Sequence, residues 1–213
     1  MLLKWKPPRF SQHTLEGTLV ESEPSQSSLS HNIMTLIVSQ ICHSPPGAQA
    51  AILDIEAAYH TIPCAPDHKH YIVLFFNGSF YLDHNFPFGI ASAASLQGEV
   101  AGTVLRIWQH LNIQPAKKWV DNIAIFRFPT AHGQFLGISQ GKVYHYDYDL
   151  THIKKTIAPL GVPWHREKGQ PFNDMVEYLG FLWNIPQRHI TLTSLKHRKY
   201  VVKLSLFLST YEH

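Results

Sequence analysis

Several features that mark large protein classes are scarce or missing in this chain. It has only two cysteines, Cys42 and Cys64, and no Cys-x-x-Cys pair. That argues against a zinc site and against a disulfide-dense secreted scaffold. A single bridge between the two stays open, with a reduced intracellular chain the simpler reading. No run approaches the ~20 apolar residues of a membrane-spanning helix. The N-terminus, Met1-Leu-Leu-Lys-Trp-Lys-Pro-Pro8, has no long apolar core for a signal peptide. A cytoplasmic or nuclear protein is therefore expected. Charge is sparse too: charged residues make up 15% of the chain and the formal net charge is +3. Such a balance is compatible with a nucleic-acid partner without requiring one. No internal repeat is present.

What the chain does have is an apolar fraction of 45%, enough for a real core in 213 residues. Its 15 histidines are scattered, so they read as surface and loop residues that add positive charge below about pH 6.5.

Residues 1–30, with Pro7, Pro8, Pro24 and a Ser-rich run from Ser22 to Ser30, read as an irregular lead-in. Apolar residues over 31–43 suit a helix that Pro45-Pro46-Gly47 stops. A strand over Ala50–Ile55 is followed by a short helical turn over Glu56–His60. Asn77-Gly78 between two β-rich runs predicts a hairpin with a type I′ turn. A loop at Phe86–Gly89 leads into a long helix from Ser92 to His110. Lys117–Val120 and Ile123–Phe128 read as strands meeting at Asp121-Asn122, and 129–148 as an irregular or hairpin-like insertion. A helix over Leu150–Leu160 ends at Gly161. Another hairpin is expected over Glu177–Asn184 and His189–Leu192. An amphipathic helix from Ser194 to Leu208 carries Lys196, Arg198, Lys199 and Lys203 on its polar positions. This order predicts an α+β fold, an antiparallel sheet with helices packed on one face.

Two aspartates carry most of the functional information. Asp54 and Asp121 each follow an apolar run that reads as a buried strand. A carboxylate there is costly unless compensated. Two brought together would repel, and a divalent cation is the usual remedy. Hard Mg²⁺ takes one or two carboxylates plus water and phosphate oxygens, and a pair of metals can clamp both oxygens of an in-line phosphoryl transfer. Taken singly, the same residues have plainer readings. Asp54 could cap a helix, Asp121-Asn122 could be a tight turn, and Tyr59 and Phe88 could be core aromatics. Lys168 could be a solvated loop lysine, and the run from Lys196 to Lys203 a solvated helix face.

The motifs resemble a known family, in order along the chain. Ile52-Leu-Asp-Ile-Glu-Ala-Ala-Tyr-His-Thr-Ile-Pro63 resembles the first palm motif of retroelement reverse transcriptases, and Phe86-Pro-Phe-Gly-Ile-Ala-Ser-Ala-Ala94 the second. Lys118-Trp-Val-Asp-Asn-Ile-Ala-Ile-Phe-Arg127 resembles the catalytic hairpin. Leu160-Gly-Val-Pro-Trp-His-Arg-Glu-Lys168 and Glu177-Tyr-Leu-Gly-Phe-Leu-Trp183 are similar to the two that follow. With Pro45-Pro-Gly-x-Gln-Ala-Ala51, the style resembles reverse transcriptases of fungal retrotransposons.

The resemblance implies a palm over 47–193, an irregular lead-in with partial fingers over 1–46 and the start of a thumb helix over 194–213. It implies RNA-directed DNA synthesis with Mg²⁺ or Mn²⁺, deoxynucleoside triphosphates and a primed template. Asp54 and Asp121 would hold the metals, and Lys168 would donate a proton to the leaving pyrophosphate. Tyr59 would act as steric gate against a ribose 2′-OH, Phe88 and Gly89 would line the nucleotide, and Tyr178, Leu179, Gly180 and Phe181 would form the primer grip. The chain departs from the family pattern at Asn122, where a second aspartate is usual, and at Ala94, where proline is usual. Before the palm, only Lys4, Lys6 and Arg9 are basic, and the fingers strands are not recognisable. A protein partner could supply the missing fingers or thumb. Two further readings stay open: a retroelement remnant that binds nucleic acid or protein without catalysis, and a metal-dependent phosphodiesterase using the same carboxylates.

Overall fold

The computed structural model describes residues 26–87 and 89–211. The helices are α1 (Gln26–Cys42), α2 (Ala91–His110), α3 (Leu150–Thr156) and α4 (Ser194–Tyr211). The strands run in chain order from β1 (Gln49–Asp54), β2 (Val73–Phe76), β3 (Ser79–Leu82) and β4 (Ala116–Trp119) to β5 (Asn122–Arg127) and β6 (Phe135–Ser139). They continue with β7 (Lys142–Tyr146), β8 (Gln170–Asn173), β9 (Met175–Tyr178), β10 (Phe181–Asn184) and β11 (His189–Leu192). Single 3₁₀ turns at Ala58–Thr61, Pro66–Tyr71 and Ala158–Leu160 complete the described elements.

The central sheet has the order β4-β5-β1-β8, and each neighbouring pair is antiparallel. Strand β1 lies inside it and all six of its residues are buried. An unbroken apolar run is what a strand covered on both faces requires. Alternation along β1 and β5 separates two cores. Ala50, Ile52, Ala124 and Phe126 pack with Ile33, Ile37 and Ile41 of α1 and with Val176, Tyr178 and Trp183. On the other face, Leu53, Ile123 and Ile125 pack with Val104 and Trp108 of α2 and with Ile153 and Ile157. The helices expected to back the sheet, α2 and α3, thus lie together on one face, while α1 covers part of the other.

Local chemistry explains the element ends, and here several sequence expectations need correction. Helix α1 already includes Gln26–Ser30, so that part of the Ser-rich run read as irregular is helical, while residues 1–25 lie outside the described residues. Leu150–Leu160 is not one helix: α3 stops at Thr156 and a 3₁₀ turn follows. Pro159 has no N–H to continue the ladder, and Gly161 closes the segment at φ 64°. Glu177–Asn184 is not one strand, because the chain turns back at Leu179-Gly180 and makes a three-stranded sheet, β11-β10-β9. The helical turn expected over Glu56–His60 sits at Ala58–Thr61. The insertion at 129–148 holds the β6–β7 hairpin, and Asn77-Gly78 makes the predicted turn with φ positive at both residues. Helix α4 buries no residue, so its apolar side chains pack on no core.

The β6–β7 hairpin is fastened to the central sheet by Arg127. This buried side chain gives two hydrogen bonds to Gln49 Oε1, at 2.6 and 3.1 Å, and one to the Tyr148 carbonyl. Its guanidinium lies between the rings of Tyr146 and Phe172, 3.9 and 4.4 Å from their centroids. Burial lowers its pKa, and two aromatic faces with a neutral amide take the place of a carboxylate. Gln49 in turn donates to Ile138 of β6 and to Asp174. Arg127→Ala would strand these acceptors and empty the space between the rings. A loss of about 2–4 kcal/mol is expected, measured by urea unfolding, with Arg127→Lys in between.

Candidate active site

Strand register brings the two aspartates together. Asp54 is the last residue of β1 and pairs with Asn122, the first of β5. The next bond of the ladder runs from the Ile55 N–H to the Asp121 carbonyl at 3.0 Å. Asp54 therefore ends a strand and does not cap the following turn, whose N-cap is Ala57.

The β4–β5 turn departs from the sequence reading. Trp119 pairs with Asn122, so the turn residues are Val120 and Asp121 rather than Asp121-Asn122. Only the first of them has positive φ, 51° at Val120, the sign pattern of a type II′ turn. A β-branched residue is strained there, by about 1–3 kcal/mol. Nothing in the residue types signals this, since Asp-Asn is the more turn-prone pair.

Lys168 also reaches the site. The segment after Gly161 runs along the end of β1: the Glu56 N–H donates to Pro163 and the His165 N–H to Asp54, both at 2.8 Å. The chain then turns about His165, whose Nδ1 accepts from the Glu167 and Lys168 N–H groups. This places Lys168 Nζ 3.4 Å from Asp54 Oδ1. The Asp54 side chain is 4% exposed and that of Lys168 60%. The carboxylate is held in the fold while the ammonium reaches in from solvent.

Behind this group stands the hairpin expected to form the primer grip. Tyr178 is buried, and its hydroxyl donates to the Asn122 carbonyl at 3.2 Å. Burial, with a smaller contribution from the Asp121 charge, pushes its phenol well above the ordinary tyrosine range. Leu179 and Gly180 both have positive φ. Lys196 of α4 donates to the Leu179 carbonyl at 3.1 Å and lies 5.2 Å over the Phe181 ring. A side chain at Gly180 would collide with that lysine. The sequence places Lys196 among the basic residues of the expected thumb helix, and no local signal connects it to residues 179–181.

Of the residues expected to meet the nucleotide, Tyr59 and Gly89 lie on two segments that pair with each other. Tyr59 is half-buried in the 3₁₀ turn. That segment pairs with the 84–89 loop through the Pro63–Asn85 bridge and a hydrogen bond from the Phe86 N–H to the Ile62 carbonyl. Gly89 is exposed, with φ 94°, a conformation only glycine adopts freely. Phe88 lies outside the described residues.

The donor set at Asp54 and Asp121 consists of carboxylate and main-chain oxygens. Among the described residues, no group of three His, Cys, Asp or Glu side chains could enclose a metal ion. Two carboxylates would suit a hard cation that takes one or two of them and shares its remaining positions with water and phosphate. Asn122 donates to Asp121 Oδ1 at 3.1 Å, so an amide sits where a second aspartate would add charge.

With this geometry in view, the likeness to solved structures is informative. The chain is similar to the foamy viral protease-reverse transcriptase in complex with an RNA/DNA hybrid, with TM-score 0.50 and 18% identity over 71% of this chain and 18% of the other. It is also similar to a dRH form of the foamy viral protease-reverse transcriptase in complex with double-stranded DNA, with TM-score 0.53 and 17% identity over 76% of this chain and 25% of the other. The chain thus spans a quarter or less of the length of those proteins. No family model matches the sequence, and no curated protein matches it. The fold is reverse-transcriptase-like, an α+β palm with antiparallel sheets. Among the described residues, no helix is long and apolar enough to cross a membrane.

The buried phenols of Tyr178 and Tyr148 give a pH dependence. Both pKa values are raised, Tyr148's also chiefly by burial. Above about pH 10 the unfolded chain loses these protons while the folded chain keeps them, so stability falls as pH rises. Thermal unfolding between pH 9 and 11.5 should show this decline, and Tyr178→Phe should make it shallower.

Proposed function

We propose that this chain is the palm of a reverse-transcriptase-like nucleotidyltransferase that extends a DNA primer on a nucleic-acid template. The observation that carries this reading is the meeting of Asp54 and Asp121 at adjoining strand ends, with Lys168 against Asp54. The likeness in fold to polymerases solved with RNA/DNA hybrid and double-stranded DNA supports it.

In this reading Asp54 and Asp121 hold Mg²⁺ or Mn²⁺, which supplies positive charge to the oxygens that attack and leave in phosphoryl transfer. The rigid pairing of β1 with β5 fixes both carboxylates. Lys168 brings a cation to the same place, where it can bind the triphosphate and give a proton to departing pyrophosphate. Tyr59 bars a ribose 2′-OH, and Phe88 and Gly89 line base and sugar. Tyr178, Leu179, Gly180 and Phe181 meet the primer end, with Lys196 bracing their turn. Template-primer and deoxynucleoside triphosphate are the partners, and a protein partner supplies fingers or thumb. A retrotransposon origin agrees with the motif style.

One observation favours the second reading, a non-catalytic remnant that keeps the fold and binds nucleic acid. Asn122, in register with Asp54, engages Asp121 through a donor instead of adding a third carboxylate. One experiment separates the readings. The chain and its Asn122→Asp variant are assayed for primer extension on an RNA template with Mn²⁺. A weak rate, raised about tenfold by the added carboxylate and abolished by Asp121→Ala, is expected. No extension by either form, with nucleic-acid binding retained, identifies the remnant.

A further inference from the structure

Helix α2 buries one stripe of side chains: Ala93, Gln97, Ala101, Val104 and Trp108. Four of the five are apolar. Gln97 is 1% exposed, and among the described residues neither its amide oxygen nor its amide nitrogen has a hydrogen-bond partner. A buried amide without partners opposes folding, and an apolar side chain of the same length would remove that cost. The place of Gln97 is specific. One turn further along α2, Ala101 packs on Ile55 and Ala58, the residues between Asp54 and Tyr59. One turn earlier, Ala93 stands four residues from Gly89. The helix is in contact with the Ala58–Thr61 turn itself. The amide therefore lies, buried, on the face of α2 that packs against the turn carrying Tyr59.

Resting on the polymerase reading above, we propose that Gln97 is a positioning residue for the incoming nucleotide. Its amide gains hydrogen bonds when the Tyr59 turn closes on a deoxynucleoside triphosphate. The unmet hydrogen bonds of the free protein favour that closure. Gln97 touches neither metal nor reacting atoms, so its effect falls on nucleotide affinity and not on the metal-binding carboxylates.

The test uses the whole chain and the near-isosteric variants Gln97→Met and Gln97→Leu. Melting temperature is measured, together with calorimetric binding of Mn²⁺ alone and of thymidine triphosphate with Mn²⁺. The expected result is a higher melting temperature, unchanged Mn²⁺ affinity and nucleotide affinity lowered about tenfold in both variants. Equal nucleotide affinity in variants and parent would overturn the proposal. So would a lower melting temperature or failure to fold in both variants, since the amide would then already be satisfied in the free protein. Asp54→Ala is the control for the underlying reading. If the parent binds no Mn²⁺, or Asp54→Ala binds it equally, the two-carboxylate site fails, and the role of Gln97 falls with it.

Discussion

The rest of this structure depends on a buried carboxylate at the end of a central strand. Asp54 sits in the sheet interior with its side chain almost wholly withdrawn from water. Such a group is tolerated only where charge and hydrogen bonds compensate it. The fold brings three residues to the end of that strand. The segment after Gly161 delivers Lys168, the β4–β5 turn delivers Asp121, and the register of β5 sets Asn122 opposite. Each is held by backbone pairing to β1. A slip of one residue in that pairing would turn Asp54's partner set to the other face.

Both covered faces of the central sheet serve this arrangement. Cores against α2 and α3 on one side and against α1, β9 and β10 on the other fix β1 and β5 as rigid elements. The strained turn at Val120 is carried by that rigid support. Away from the sheet the packing thins. All eight residues of β2 and β3 are exposed, and seven of them are apolar or aromatic: Val73, Leu74, Phe75, Phe76, Phe80, Tyr81 and Leu82. A two-stranded hairpin alone is marginal in water. Helix α4 is exposed along its length and touches the site through Lys196.

How much of this could be read from the residues follows from the range of the interactions. Asn77-Gly78 announces its hairpin because the required φ values are a local matter. Asp54 stands out because a charge after an apolar run is a local anomaly, whereas the strand before Asp121 carries two lysines and is only half-buried, so motif order alone points to their meeting. Lys168 was readable only by resemblance, since its approach to Asp54 depends on pairing between segments more than a hundred residues apart. The β4–β5 turn was misplaced by one residue because tertiary pairing overrode the turn preference of Asp-Asn. Arg127 and Gln97 gave no signal. One is a basic residue ending a strand and the other a polar residue in a helix, and only the packing shows that both are buried.

The most direct measurement of the central claim is a crystal structure of the full chain soaked in Mn²⁺, with the metal located by its anomalous scattering. Shared coordination of one Mn²⁺ by Asp54 and Asp121, with Lys168 displaced from Asp54, is the predicted result. Crystals with Lys168 still paired to Asp54 and no Mn²⁺ between the two aspartates at saturating concentration would contradict it.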